Sequence, residues 1–429
     1  MDKILNWLLA IYSCYLAVIS LKKIFKNPSN LTNYVILLIF VFNSFPVILD
    51  LLVGKPMYSI FPWYKNFEIA TSVHEVNAIY SFYVILVLFS LHISSVVKNK
   101  YNPQYIKVNN SRIFTGKLLI LFSLLPIIFF IISGLLSGNA INMFKYISIS
   151  SRGFNNFFSS LTSLVELLGI LSFTVWFFEK SRNNKQYILL ILYYFLIAWI
   201  NGKRYIVVTE ILLLCYFLLN TKRDKIKFSK LKIKLLFLGT AVIVFYFIYL
   251  INFKLIGDIT SNFLYLTFRI DFGRDDVTKF VIYKEIFEKH KILDFRGQTF
   301  LSTLLFFIPR RIWTNKPYPH YRYLTAALYN TGVLNIPSGM TPSIFETSIA
   351  NLGLFFGILF TPIILVIILR FANNSTSIAR KGVYLIFFAA LLTQSLDSIM
   401  IVLFLLPLGF LGKKLKCRSV VCYGNKQSD

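Results

Sequence analysis

The chain has 429 residues, of which 56% are apolar, 17% aromatic and only 15% charged. A soluble domain cannot hide that much apolar surface, so the composition excludes a soluble globular protein and points to an all-α, polytopic membrane protein. The 45 Lys and Arg against 18 Asp and Glu give +27, but the cations fall in short loops between apolar runs, which is the positive-inside pattern and argues against nucleic acid as a partner.

A span needs about 20 mostly apolar residues. That predicts eleven helices, over residues 4–20, 32–53, 76–97, 118–136, 157–178, 187–200, 205–220, 235–255, 348–370, 383–396 and 398–412. The first run carries one lysine before it and no small-residue cleavage site, so it reads as a span rather than a cleaved signal. The sixth and seventh runs are short and the last two similarly so; each pair reads as a tight hairpin counted as two passes. Basic loops (Lys22, Lys23, Lys26; Lys98 to Lys117; Lys180 to Lys185; KRDKIKFSKLKIK from Lys222; Arg370 to Lys381; the KKLKCR tail) then all fall on one side. That side is cytoplasmic, with the N-terminus outside and the C-terminus inside. Cys14 and Cys215 lie in apolar runs and Cys417 and Cys422 in the tail, and all four read as structural or incidental. No internal repeat is evident, and residues 1–429 read as a single polytopic membrane domain.

One outside loop is long. Residues 256–347 hold eight of the 18 acidic residues, and long loops in compact proteins usually carry function. Within it, DVTKFVIYKEIFEKHKI sets Val277, Phe280, Val281 and Phe287 on one helical face, the pattern of an amphipathic helix lying on the membrane surface. QTFLSTLLFFIP, ending at Pro309, is too short to span and reads as a re-entrant or interfacial helix that the proline helps end.

No Walker A loop, HExxH, paired CxxC or Gly-x-Ser-x-Gly is present, and no metal site is expected. No cytosolic segment is large enough for a nucleotide, so an activated donor would be lipid-borne. The cations are the positive signal: Arg152 in ISISSRGFNN, Arg204 in NGKR, Arg274 in the long loop, and Arg310, Arg311 and Lys316 in FIPRRIWTNKPYPH all fall outside, against the positive-inside rule. Arginine forks grip phosphate oxygens, whereas the bland alternative is that these side chains snorkel, anchor helix ends or pair with Asp271, Asp275 or Asp276. Glu346 and His320 are the candidate bases. The former equally reads as a helix first-turn carboxylate after Thr341 and Ser343, and the latter as a solvated or stacked ring. Trp313 could stack on a sugar or sit in the interfacial aromatic belt.

GQTFLSTLLFFIPRRIWTNKP followed by SGMTPSIFETSIANLGLFFG, Gly297 to about Phe360, resembles the Wzy-type bacterial oligosaccharide repeat-unit polymerases of O-antigen and capsule assembly; SSRG and NGKR match more loosely. The resemblance implies a membrane glycosyltransferase of GT-C-like architecture in the cytoplasmic (inner) membrane, working without cofactor or metal. It would transfer the growing glycan from undecaprenyl pyrophosphate to a hydroxyl of the next lipid-linked repeat unit. Glu346, Arg204, Arg310 and His320 would be catalytic. Arg152, Arg311, Lys316, Arg274, Trp313 and Asn351 would bind pyrophosphate or substrate. Undecaprenyl-pyrophosphate-linked oligosaccharides, membrane lipid and a chain-length regulator protein would be its partners. A glycan ligase or a lipid-linked oligosaccharide flippase are the alternatives.

Overall fold

The computed structural model describes residues 2–54, 65–96, 116–137, 156–179, 186–201, 204–221, 265, 268–269, 272–288, 292–305, 308–336, 339–375, 378–394 and 396. In chain order its helices are α1 (Asp2–Lys26), α2 (Leu31–Ile39), α3 (Phe45–Val53), α4 (Lys65–Ser72), α5 (His74–Val96), α6 (Gly116–Ser137), α7 (Asn156–Glu179), α8 (Tyr187–Asn201), α9 (Arg204–Thr221), α10 (Asp275–Tyr283), α11 (Gln298–Leu304), α12 (His320–Tyr329), α13 (Ile344–Leu352), α14 (Leu354–Asn373) and α15 (Ile378–Thr393). Among the described residues the protein is all-helical, with no strand. Four stretches are long and apolar enough to cross a membrane: Asp2–Lys26, Leu31–Val53, His74–Ser95 and Leu354–Asn373. The expected spans 235–255 and 398–412 lie outside the described residues. The chain divides into two compact units, residues 1–97 with 218–369, and residues 98–217 with 370–429.

In the first unit α1 and α5 run side by side in the same direction. Asp2 meets His74 at one end at 2.6 Å, Ser81 donates to Asn6 at 2.5 Å, and Lys23 donates to Ser95 at the other at 3.4 Å. Leu31–Val53 is one span with a π-turn, Phe40–Ser44, between α2 and α3. The cause is Pro46: it has no N–H for the carbonyl of Phe42, four residues back, and inside a membrane a freed carbonyl needs another donor. The backbone N–H of Arg274, from the long loop, donates to that carbonyl at 3.2 Å. Eight residues beyond Phe42, about two helical turns, Asp50 accepts from Arg269 Nε at 2.8 Å and from the Tyr265 hydroxyl at 2.6 Å. The loop is thus bolted to this span.

Arg269 has no exposed surface. Besides Asp50 it donates to Asp275 at 2.5 and 2.6 Å and to Asp276 at 2.8 Å, while Lys279 reaches Asp275 at 2.8 Å. Asp275 and Asp276 also open α10, where acids suit the helix dipole. The expected helical period is present, with Val277, Phe280 and Val281 buried, but every residue from Asp275 to Ile282 is buried and Phe287 is exposed. The helix is therefore embedded in the unit, not laid on a surface. Its polar side faces guanidinium and carboxylate instead of water, and Phe280 packs edge-on against Phe67 of α4.

The predicted helix ending at Pro309 is shorter than expected: α11 stops at Leu304. Its Thr299, Ser302 and Thr303 are buried while Leu301 and Leu304 are exposed, the orientation of an element whose outer side meets lipid. The expected span 348–370 is broken at Gly353. With φ of 83° this residue ends α13 and lets α14 turn away. At Gly357 a Cβ would stand 2.5 Å from the Ile349 Cα, so only glycine permits the two helices to close. Tyr83 of α5 ties the joint by donating to Thr361 at 2.5 Å, and Thr361 donates to Ser348 at 3.0 Å.

In the second unit α6 packs on α7, where Gly169 leaves room for the Pro126 ring. Phe173 stacks on Tyr193 of α8 at 4.0 Å, and Glu166 and Glu210 are buried on α7 and α9.

Replacing a fully buried guanidinium takes the shared cation from three carboxylates. Arg269→Met is expected to cost about 3–5 kcal/mol or more of stability, with Arg269→Lys recovering only part because a point charge cannot serve three partners. Thermal unfolding of the purified protein in detergent checks this; a variant as stable as wild type would show that the cluster does not hold the loop to the span.

Candidate functional site

All described residues of the FIPRRIWTNKPYPH block lie in the first unit. The turn after α11 leaves backbone carbonyls without helical partners, and two of its cations are used on them. Lys316 Nζ donates to Leu305 O at 3.2 Å and Ile308 O at 2.9 Å. Arg310 donates to Lys316 O at 2.6 Å and Pro317 O at 3.0 Å, and its guanidinium lies 4.1 Å from the centre of the Tyr318 ring. Arg311, next in sequence, is exposed and has no partner among the described residues. Trp313 is half-buried and its backbone N–H donates to Pro309 O at 3.1 Å. Arg310 and Lys316 therefore set the turn, and Arg311 is the side chain presented by it.

Behind the turn, Gly297 precedes α11 and offers no side chain to cap it, so Asn351 of α13 does this from outside. Its Oδ1 accepts from Thr299 N at 3.2 Å and Phe300 N at 3.3 Å, and its Nδ2 donates to Thr347 O at 2.8 Å. In return Gly297 N donates to Asn351 O at 2.9 Å. The Arg296 guanidinium sits at the C-terminal end of α13, on Ala350 O at 2.9 Å, while paired with Glu285 at 2.5 Å. His320 begins α12 and is 1% exposed; its Nδ1 faces the Thr299 hydroxyl at 3.4 Å and its Nε2 has no hydrogen-bond partner. Burial pushes its pKa down to about 3, so the ring is neutral at ordinary pH.

Glu346 is completely buried at the third position of α13. It forms a capping box with Ser343, whose backbone N–H and hydroxyl both donate to it, the latter at 2.7 Å, and Thr278 of α10 adds a third donor at 2.9 Å. Burial raises this carboxyl above the usual range, opposed by the Ser343 and Thr278 donors. Arg274 reaches the same entry segment through Thr341, donating to its carbonyl at 3.1 Å and its hydroxyl at 2.5 Å. Both residues therefore fasten the start of α13 to α10. The first unit thus holds Arg274, Arg310, Arg311, Trp313, Lys316, His320, Glu346 and Asn351, with Arg310 and Arg311 exposed. Arg152 and the side chain of Arg204, which opens α9 in the second unit, lie outside the described residues.

No group of three or more His, Cys, Asp or Glu side chains is arranged to hold a metal among the described residues. Matched against models of known protein families, curated proteins and solved structures, the chain has no counterpart in any of the three. Two residues of consequence escape a motif-led reading. Asp50 sits in an apolar span with nothing local to mark it. Arg322 carries a weak signal: residues 295–345 contain no Asp or Glu at all, so every Lys and Arg there after Arg296 lacks an acidic neighbour in sequence.

The His320 environment sets a pH dependence. Between the ordinary histidine pKa of about 6.5 and the folded value of about 3, the unfolded chain binds a proton that the folded one refuses. Stability therefore falls as pH is lowered through that window, by about 1.4 kcal/mol per unit for this group. Thermal midpoints in detergent from pH 7 to 4.5 should fall less steeply for His320→Gln than for wild type; parallel profiles would contradict the assignment.

Proposed function

We propose that the protein is a polysaccharide polymerase, a membrane glycosyltransferase of the Wzy type with an eleven-span, GT-C-like path through the bacterial inner membrane. It joins lipid-linked repeat units at the outer face. The observation that carries this reading is Arg311: an exposed guanidinium with no partner among the described residues, on a turn whose other cations bond backbone carbonyls and keep their charge. The block that resembles those polymerases, Gly297 to about Phe360, also supports it, since α11, the cationic turn, α12, α13 and the start of α14 are cross-tied by Asn351, Arg296 and Thr361.

In the reaction the acceptor hydroxyl oxygen attacks the anomeric carbon of the growing glycan as the bond to the pyrophosphate oxygen breaks. The negative charge that develops on the departing pyrophosphate is what a preorganised cation stabilises best, because nothing must reorganise as the charge appears. Arg311 supplies that charge, with Arg310 fixed beside it. The hydroxyl proton leaves with the attack, and an oxygen of the departing pyrophosphate can take it. Glu346 has no exposed surface and three donors of its own, so in this reading it is a positioning residue that holds Ser343 and Thr278 together.

A gel of surface polysaccharide from a deletion strain carrying variants tests both parts. Arg311→Ala is expected to leave single repeat units on the final acceptor, with protein levels in the membrane unchanged. Normal chain lengths would remove Arg311 from the site, and glycan missing from the final acceptor would indicate a ligase instead. Glu346→Gln can still make a capping box, so it should keep long chains at a several-fold cost at most. Loss of polymer at undiminished protein level would restore Glu346 as the proton acceptor.

A further inference from the structure

Arg322 has no place in the mechanism above and no obvious structural reason for its position. It is the third residue of α12, whose first turn contains no acid and whose N-cap is Pro319, without a side-chain cap. Helix starts draw carboxylates, because the first N–H groups carry partial positive charge, so a guanidinium here stands against the local field. The helix end is not itself the site; it removes one explanation for the arginine.

The Arg322 side chain contacts two tyrosines: its Nε donates to the Tyr321 hydroxyl at 3.5 Å, and it also lies against Tyr318. Its guanidinium lies 5.2 Å from the centre of that ring, and the Arg310 guanidinium lies 4.1 Å from the same centre. The two like charges can be no farther apart than those distances together, inside the Debye length of about 10 Å at 0.1 M salt. Arg311 is exposed on the residue adjoining Arg310. Within the described residues no carboxylate pairs with any of the three. Asp294, the last acid before the acid-free stretch, is exposed and makes no ion pair with them. The arrangement is also built in advance. Carbonyls of Lys316 and Pro317 hold Arg310, and the Tyr318 N–H donates to the Tyr323 hydroxyl at 3.2 Å.

We propose that Arg310, Tyr318 and Arg322 form a single anion-recognition clamp, with Arg311 as its outer arm, that takes a diphosphate group. Three guanidiniums carry more charge than a carboxylate or a phosphate monoester cancels, whereas the linked phosphates of a diphosphate bring more negative charge and offer oxygens to more than one guanidinium. Arg322 is thus a binding residue. The choice of ligand rests on the polymerase reading; the existence of the clamp does not.

Binding of farnesyl diphosphate, farnesyl monophosphate and inorganic pyrophosphate to the purified full-length protein in nanodiscs, measured by calorimetry, tests this. Wild type should bind the diphosphates at least ten-fold tighter than the monophosphate. Preference for the farnesyl compound assigns the site to a lipid headgroup, and equal affinity for pyrophosphate assigns it to free diphosphate. Arg322→Gln should weaken diphosphate binding ten-fold or more and flatten its salt dependence, with an unchanged thermal midpoint. Arg322→Lys should recover part of the affinity, and it serves as the test if the glutamine variant does not fold. Undiminished affinity in the variants, or a monophosphate bound as tightly as the diphosphates, would overturn the clamp. Chain length in cells separates the two ideas. Lost binding with normal polymer from Arg322→Gln keeps the clamp and sinks the polymerase reading; intact binding with single repeat units does the reverse.

Discussion

A guanidinium with no access to water has to be neutralised by the protein, and Arg269 is neutralised by carboxylates from two distant parts of the chain, Asp50 on the membrane span and Asp275 and Asp276 on α10. Burial would push the Asp275 carboxyl up, but Arg269 and Lys279 hold it below the ordinary range, so that carboxyl stays ionised. Much of the loop's placement descends from this knot. It fixes α10 against the span, α10 presents Thr278 to Glu346, Glu346 starts α13, and Asn351 on α13 starts α11 and with it the cationic turn. The cationic turn is thus several steps of packed structure from the charge cluster that holds the loop.

Much of this was legible in sequence, unevenly. Composition identifies the membrane class, and the span 32–53 matches Leu31–Val53 closely because an apolar run of that length has few alternatives. The span 348–370 misses its break because a glycine inside an apolar run is ordinary; only the positive φ of Gly353 and the closeness of Gly357 to Ile349 show that two helices meet there. For α10 the period is read correctly and the surroundings are not, since the guanidinium that meets its acids is itself held by Asp50, 219 residues away in sequence. Ser343 and Glu346 do spell a capping box in advance. Arg310 and Arg311, equivalent on paper, part company only in three dimensions, one folded onto carbonyls and one left outside.

That division illustrates how a loop can be cationic without being loose. From Arg296 through Arg322 there are five arginines and lysines. A carbonyl partner satisfies the donors of a cation yet leaves its charge uncancelled, unlike a carboxylate, which cancels it. Arg310 and Lys316 take carbonyls and keep their charge, and only Arg296 is paired with an acid. The turn therefore gains a fixed shape and retains a positive potential, the combination that a site for a phosphorylated headgroup requires.

The knot at Arg269 also bears on how the protein is made. Asp50 leaves the ribosome 219 residues ahead of the arginine that meets it, an interval of roughly 11–44 s at about 5–20 residues per second. During that time the span carrying Asp50 is in the bilayer with a carboxylate near one end and no guanidinium to meet it, so the acid has to stay at the aqueous boundary. Arrival of the loop, not insertion of the span, then completes that part of the membrane domain. Early spans and late loop are one folding event separated by half the length of the chain.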